Sequence, residues 1–217
     1  MIKAFLFDLD GVLTDTSEFH YLAWQRLADE EGLPFSRLDN DDLRGVSRRE
    51  SLAVMLKGQT ISEETAQAWM ERKNSYYLEL VNRMTPANLL PGAVDLLAEL
   101  RAAGYRIAIA SASKNAPLVL ERLKIGAAID AVVDGNTPAR SKPAPDLFLA
   151  AAAALEVQPE ECVVVEDAAV GITAGNDAGM LTLGLGPIER AGAATLVLPS
   201  LEGVRLKDIL AGLKSGE

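Results

Sequence analysis

Short apolar runs alternate with longer amphipathic stretches along most of this chain, and the alternation breaks once. "IKAFLF" (2–7), "RIAIASA" (106–112), "CVVVED" (162–167) and "TLVL" (195–198) are apolar or β-branched runs of strand length. "AAIDAVVD" (127–134) and "MLTLGLG" (180–186) are weaker candidates of the same kind. Between them "GAVDLLAELRAAG", "APLVLERLKIG" and "DLFLAAAAALEV" carry helical spacing. Strands alternating with single helices predict right-handed βαβ units and a parallel sheet. Near-continuous apolarity, as in Ala4 to Phe7, predicts strands covered on both faces.

The break lies between residues 15 and 84. "SEFHYLAWQRLADEEG", "SRRESLAVMLKG" and "SEETAQAWMERKNSYYLELVNRM" are helical in pattern, with no convincing strand among them. An all-helical block inside an α/β chain predicts an inserted domain. Residues 1–14 and 85–217 are then the α/β domain and 15–84 the helical one, with "TPANLLPG" as a proline-bearing return linker. The insert departs just after the first strand, so it hangs over the sheet edge where open α/β folds place their ligands.

Composition narrows the partners. The 217 residues are 49% apolar, enough for one large domain or one domain with a smaller insert. With 21 Lys and Arg against 31 Asp and Glu, the net charge of −10 argues against nucleic acid and anionic membranes, whose binding needs clustered cations. A small anionic ligand needs only a few local cations. Cys162 is the only cysteine, which excludes a disulfide framework and a cysteine-based zinc site, and its apolar run predicts a buried thiol. The start lacks a signal-peptide layout and no apolar stretch approaches the roughly 18 residues of a membrane span, so a cytoplasmic protein is expected.

The chemistry sits at strand ends. Asp8 and Asp10 follow the first strand; Ser111 and Ser113 in "SAS", then Lys114 and Asn115, follow the second; Lys142 lies in "SKPAPD"; Glu166 and Asp167 close "CVVVED". Each cluster alone has an ordinary explanation as a helix cap, turn or solvated charge. Their shared position at one edge of a parallel sheet points instead to one site. Carboxylates in such a partly desolvated place call for a cation. A hard-oxygen set without His or Cys favours Mg²⁺. Hydroxyls, helix N-terminal amides and a lysine suit phosphoryl oxygens, and Asn115 is placed to cap the next helix. An aspartate facing a phosphate can attack it to give an acyl phosphate, while a second carboxylate serves as acid and base.

"FDLDGVLTDT", "SAS", Lys142 and "EDAAVGI" together resemble the four motifs of the haloacid-dehalogenase superfamily of aspartyl phosphotransferases, over essentially the whole chain. Within it, "RGVSRRES", "ERKNSYY", "LLPG", "ASASKNAP" and "SKPAPDLFLAA" are similar to the β-phosphoglucomutase family. The resemblance implies a Rossmannoid three-layer core with a parallel sheet, an inserted all-helical cap, Mg²⁺, and interconversion of β-glucose 1-phosphate and glucose 6-phosphate through the bisphosphate. It makes Asp8 the nucleophile and Asp10 the acid and base, with Ser111 and Lys142 on the transferring phosphoryl group. Asp8, the Asp10 carbonyl, Glu166 and Asp167 would hold Mg²⁺. Arg48, Ser113, Lys114 and Asn115 would take the distal phosphate, with Gly45, Val46, His20, Lys73 and Ala112 completing the substrate contacts. Arg44 stands where the family usually has lysine, which bears on cap gating, and "EDAAVGI" replaces the more frequent "EDSQAGI".

The cap residues have readings of their own. "Ser47-Arg48-Arg49-Glu50" predicts a capping box with Arg48 in the first helical turn. His20 is read either as orienting Asp10 or as packing, and Trp24, Trp69, Tyr76 and Tyr77 as cap core. A mutase needs a second phosphate site and a lid against water, which Arg48, Lys114 and Asn115 would supply on closure. The alternatives are a hexose-phosphate phosphatase of the same superfamily and, in another class, a non-catalytic sugar-phosphate sensor, for which intact Asp8, Asp10 and Lys142 have no use. Nucleotide binding is weaker still, since neither phosphate-loop glycine motif occurs. Small sugar phosphates are the expected partners, and a monomer the expected state.

Overall fold

A computed structural model of the chain describes residues 1–215. Its centre is a six-stranded, all-parallel sheet in the order β3-β2-β1-β4-β5-β6. The strands are β1 (Ala4–Phe7), β2 (Arg106–Ala110), β3 (Ala131–Val133), β4 (Cys162–Glu166), β5 (Leu181–Leu185) and β6 (Leu196–Leu198). All six runs read from the pattern, the weaker pair included, are strands. β1 is central and fully buried, which is why its sequence is apolar without alternation.

The two faces of the sheet nevertheless differ in size. Phe5, Phe7, Ile107, Ile109, Val163 and Val165 point into one apolar cluster, and Ala4, Leu6, Ala108, Ala110, Cys162 and Val164 into the other. Helices α5 (Ala93–Ala102), α6 (Ala116–Leu123) and α10 (Leu206–Ser215) cover the bulky face. The small face admits the alanine-rich α7 (Asp146–Ala154) at close range through Ala151 and Ala152, alongside α8 (Ala169–Asp177). Each large side chain buried this way contributes roughly 1.5–3 kcal/mol. Cys162 is buried, as its apolar run predicts.

Between β1 and α5 the chain is helical: α1 (Thr16–Glu31), α2 (Arg37–Asp41), α3 (Arg48–Leu56) and α4 (Glu63–Val81). Their own cluster holds Trp24, Leu27, Leu52, Met55 and Met70, with Trp69 packed against it. Tyr76 and Tyr77 depart from expectation: they pack with the cluster on the bulky face of the sheet, because the last turns of α4 reach down to it. The outgoing and returning segments are tied together where they pass, Leu90 N–H donating to the Leu13 carbonyl at 2.9 Å and the Thr14 hydroxyl to the Asn88 carbonyl at 2.8 Å. Two bonds at the neck thus hold the helices over the carboxyl end of β1. Among the described residues no helix is long and apolar enough to cross a membrane.

Candidate active site

Because every strand runs the same way, the residues following β1, β2 and β3 and the last residue of β4 meet at one edge. Asp8 leaves β1 buried at 4% exposure, and Glu166 ends β4 fully buried. The cation this edge requires comes from 134 residues away: Lys142 Nζ lies 2.5 Å from Asp8 Oδ1 and 3.0 Å from Glu166 Oε1. Burial works to lower the lysine's pKa, yet the adjacent charges of Asp8 and Glu166 outweigh it, so Lys142 stays protonated.

One lysine does not balance this edge. Carboxylate oxygens of Asp8, Glu166 and Asp167 all lie within 4.8 Å of one another. Burial first, then mutual repulsion, pushes Glu166 up to about 8 and Asp167 up to about 6, although Lys142 pulls the other way on both. Glu166 Oε2 accepts from the Asp167 and Ala168 amides at 2.6 and 3.3 Å. Gly171 leaves the room for this carboxylate, since a Cβ there would stand 1.7 Å from Glu166 Oε1. Arg44, from the segment before α3, donates to Asp167 Oδ2 at 2.9 Å, and Arg190, from α9 (Ile188–Ala191), donates to the Asp167 carbonyl at 2.7 Å. A buried, all-oxygen cluster of three crowded carboxylates fits a hard divalent cation.

The crowding and burial have a pH signature. The folded protein keeps protons on Glu166 and Asp167 that the unfolded chain, with ordinary values of 4.5 and 3.8, has already released. Stability of the metal-free protein therefore falls as pH rises from about 4 toward 8. Thermal melts in chelator are expected to drop across that window, and added divalent cation to restore more at pH 8 than at pH 5, because metal ligands must be deprotonated. A flat melting temperature in chelator would count against the crowded carboxylates.

Asp10 faces the other way. Its amide donates to Asp8 Oδ2 at 3.0 Å, while its carboxylate accepts from the Thr16 hydroxyl and lies 3.8 Å from His20 Nε2. Burial and then the Asp8 charge raise it to about 7. His20 is held by Lys73, whose Nζ is 2.7 Å from Nδ1 and lies over the rings of Trp24 and Tyr77. With Lys73 donating, Nδ1 accepts and Nε2 carries its proton toward Asp10. Burial, helped by Lys73 and Arg48, keeps His20 well below its usual pKa and hence neutral. The His20 ring also packs on Tyr77, with centroids 4.2 Å apart, so it has both a packing contact and a nitrogen near Asp10.

A cavity of about 260 Å³ joins these groups. Asp8, Asp10, Ser111, Ala112, Ser113 and Lys114 line it from the sheet side, and His20, Gly45, Val46, Arg48 and Lys73 from the helices. Lys142, Glu166 and Asp167 are not among its lining residues. At the far end the capping box is present: the Ser47 hydroxyl accepts from the Glu50 amide and the Glu50 carboxylate from the Ser47 amide. That places Arg48 at the start of α3. The expected side-chain cap on α6 is not: the Asn115 side-chain amide instead donates to Asn74 Oδ1 at 2.8 Å, and the Asn115 backbone amide donates to Ser113 Oγ at 3.3 Å. The Ser113 amide is likewise bonded to Ser111 Oγ at 3.1 Å.

Thr16, Asn74 and Arg190 join the site without having been singled out in the sequence. Thr16 lies inside the quoted "FDLDGVLTDT" and Asn74 inside "ERKNSYY", whereas Arg190 carries no motif signal.

A family model described as haloacid dehalogenase-like hydrolase matches residues 2–179. The chain is 43% identical to the β-phosphoglucomutase of Bacillus subtilis (strain 168) over 210 residues, covering 95% of this chain and 93% of that protein. It is 35% identical to hexitol phosphatase A of Escherichia coli (strain K12) over 213 residues, 93% of each. A crystal structure of β-phosphoglucomutase from Clostridium difficile matches with a TM-score of 0.95 at 38% identity, covering 99% of this chain and 98% of that one.

Proposed function

The chain belongs to the haloacid dehalogenase-like hydrolase family, and on that premise we propose that it interconverts β-D-glucose 1-phosphate and D-glucose 6-phosphate, the reaction of a β-phosphoglucomutase. Residues 1–14 and 85–217 are assigned as the catalytic core and 15–84 as the cap. An Asp8 carboxylate oxygen attacks phosphorus of the bisphosphate, forming an acyl phosphate as the phosphorus–sugar oxygen bond breaks. Asp10 gives its proton to the departing sugar oxygen and takes one back from the hydroxyl that attacks next. A group raised to about 7 exchanges protons readily near neutrality. Lys142 holds Asp8 in line, and Ser111 contacts the transferring group.

Asp8, Glu166 and Asp167, with the Asp10 carbonyl, would hold Mg²⁺, which supplies charge neutralisation at the phosphoryl oxygens when bound. Arg48, Ser113, Lys114 and Asn115 take the distal phosphate, and Gly45, Val46, Lys73, His20 and Ala112 border the sugar. The partners are small sugar phosphates, with no role for nucleic acid or membrane, and the enzyme is read as a cytoplasmic monomer.

The observation that carries this reading is one cavity lined by Asp8 and Asp10 and also by Arg48 and Lys114. Such a site can accept a bisphosphate in either orientation. Phosphorus NMR with Mg²⁺, β-glucose 1-phosphate and a trace of the bisphosphate tests it directly. Glucose 6-phosphate forming without inorganic phosphate supports the mutase; inorganic phosphate would make the protein a hexose-phosphate phosphatase, a reading that the likeness to hexitol phosphatase A keeps in play. No change in either signal would make it a sensor. Arg48→Ala is expected to raise KM about 10- to 100-fold, the worth of a charged hydrogen bond to a buried anion, and to increase phosphate release. Unchanged KM and partition in that variant would remove Arg48 from the clamp.

A further inference from the structure

Arg190 is a cation at the carboxylate edge that the proposed chemistry leaves unused. It lies on α9, in the connection between β5 and β6, so its contacts are made within the α/β part and do not depend on where the helical block sits. β5 ends beside Glu166, which pairs with Gly184, and the fully buried Ala191 packs α9 against that glycine. The guanidinium spans the remaining gap. Its Nε donates to the Asp167 carbonyl at 2.7 Å, and Gly186 leaves space for its far end, since a Cβ there would stand 2.6 Å from Nη2.

What Arg190 holds is the main chain that carries two of the three crowded carboxylates. The peptide joining Asp167 to Ala168 gives its carbonyl to Arg190 and its N–H to Glu166 Oε2 at 3.3 Å, so one peptide plane is fixed at both ends. We propose that Arg190 is a positioning residue for the divalent cation, locking this peptide so that Glu166 and Asp167 converge on Asp8 before the cation arrives. Carboxylates this close repel, and a loose loop would let them swing apart. The bond goes to the carbonyl, and Nη2 lies 3.9 Å from Asp167 Oδ2, beyond hydrogen-bond reach. Arg190 therefore leaves the carboxylate oxygens to the cation and keeps its contact when the cation binds. The inference rests on the preceding reading only in that Asp8, Glu166 and Asp167 hold a divalent cation.

Charge and positioning predict opposite results here, because a fixed positive charge near the site by itself repels a cation. The test titrates Mn²⁺ into metal-free protein and reads the free ion by electron paramagnetic resonance. Arg190→Gln removes the charge but keeps a side-chain N–H at the place of Nε along the chain. Arg190→Lys keeps the charge and sets a methylene there. Arg190→Lys is expected to weaken Mn²⁺ binding about 10- to 100-fold, and Arg190→Gln to bind at least as tightly as wild type. Circular dichroism and melts in chelator check that both variants fold, and either variant decides alone. Arg190→Lys binding as tightly as wild type would overturn the proposal, as would Arg190→Gln binding tenfold more weakly. Wild-type protein that takes up no Mn²⁺ would defeat the metal reading of the carboxylates and the Arg190 role with it. The expected binding order in a protein that releases inorganic phosphate from β-glucose 1-phosphate would uphold the Arg190 role and defeat the mutase reading instead.

Discussion

Asp8→Asn is expected to abolish turnover, by at least about 10⁴-fold, while leaving the protein folded. The acyl phosphate requires an anionic carboxylate oxygen, and the isosteric amide has none to offer. Its carbonyl can still accept from Lys142, which in the native chain lies 2.5 Å from Asp8 Oδ1. Packing should not suffer: one of the crowded carboxylates is gone, and repulsion from Asp8 is among the causes that raise Glu166 and Asp167. The chelated variant should therefore melt no lower than wild type at pH 8, and its melting should depend less on pH. Radiolabelled phosphate from the bisphosphate should label the wild type and not the variant. Turnover surviving in Asp8→Asn would end the covalent account, and loss of folding would show that the carboxylate is structural first.

Lys142→Met should be the most destabilising single change at this edge. Lys142 is fully buried and bonds two buried carboxylates, Asp8 and Glu166. Removing one partner of a buried ion pair costs about 3–5 kcal/mol, because the opposite charge is left desolvated. In a chain of this length that is roughly 6–20 °C in melting temperature. Glu166, already raised to about 8, loses the charge that pulls it down, so it holds its proton more tightly and stability falls more steeply with rising pH. The deficit should be large at pH 8 and small at pH 5 in chelator, and a deficit equal at both would place the effect in packing. Activity should fall at least about 10²-fold, the size of one lost electrostatic contact in a water-excluded site.

Both changes act on residues that the sequence places at one sheet edge for a topological reason. A parallel sheet puts every strand's carboxyl end on one edge, so Asp8, Ser111, Glu166 and Asp167 must converge once β1, β2 and β4 are recognised. Dense apolar runs such as "AFLF" and "CVVVE" mark their strands plainly. α8 was harder to read: its Gly171 and Gly175 lower helix propensity, and both glycines exist to admit neighbours, Glu166 and Val164 among them. α10 carries no motif, and only its Leu206, Ile209 and Leu213, which form a buried stripe, mark it as a helix.

What the linear pattern decided is therefore the parallel sheet, the inserted helices and the carboxylate edge, since the alternation of apolar runs with helical stretches is a local property that topology converts into proximity. What only the folded molecule decided is which side chain answers which. Asn115 donates to Asn74 rather than capping its own helix, Asp10 turns to Thr16 and His20, and Tyr77 packs toward the sheet. Each choice is a competition between partners a few ångströms apart, settled by distance and burial, and neither quantity is written in residue order.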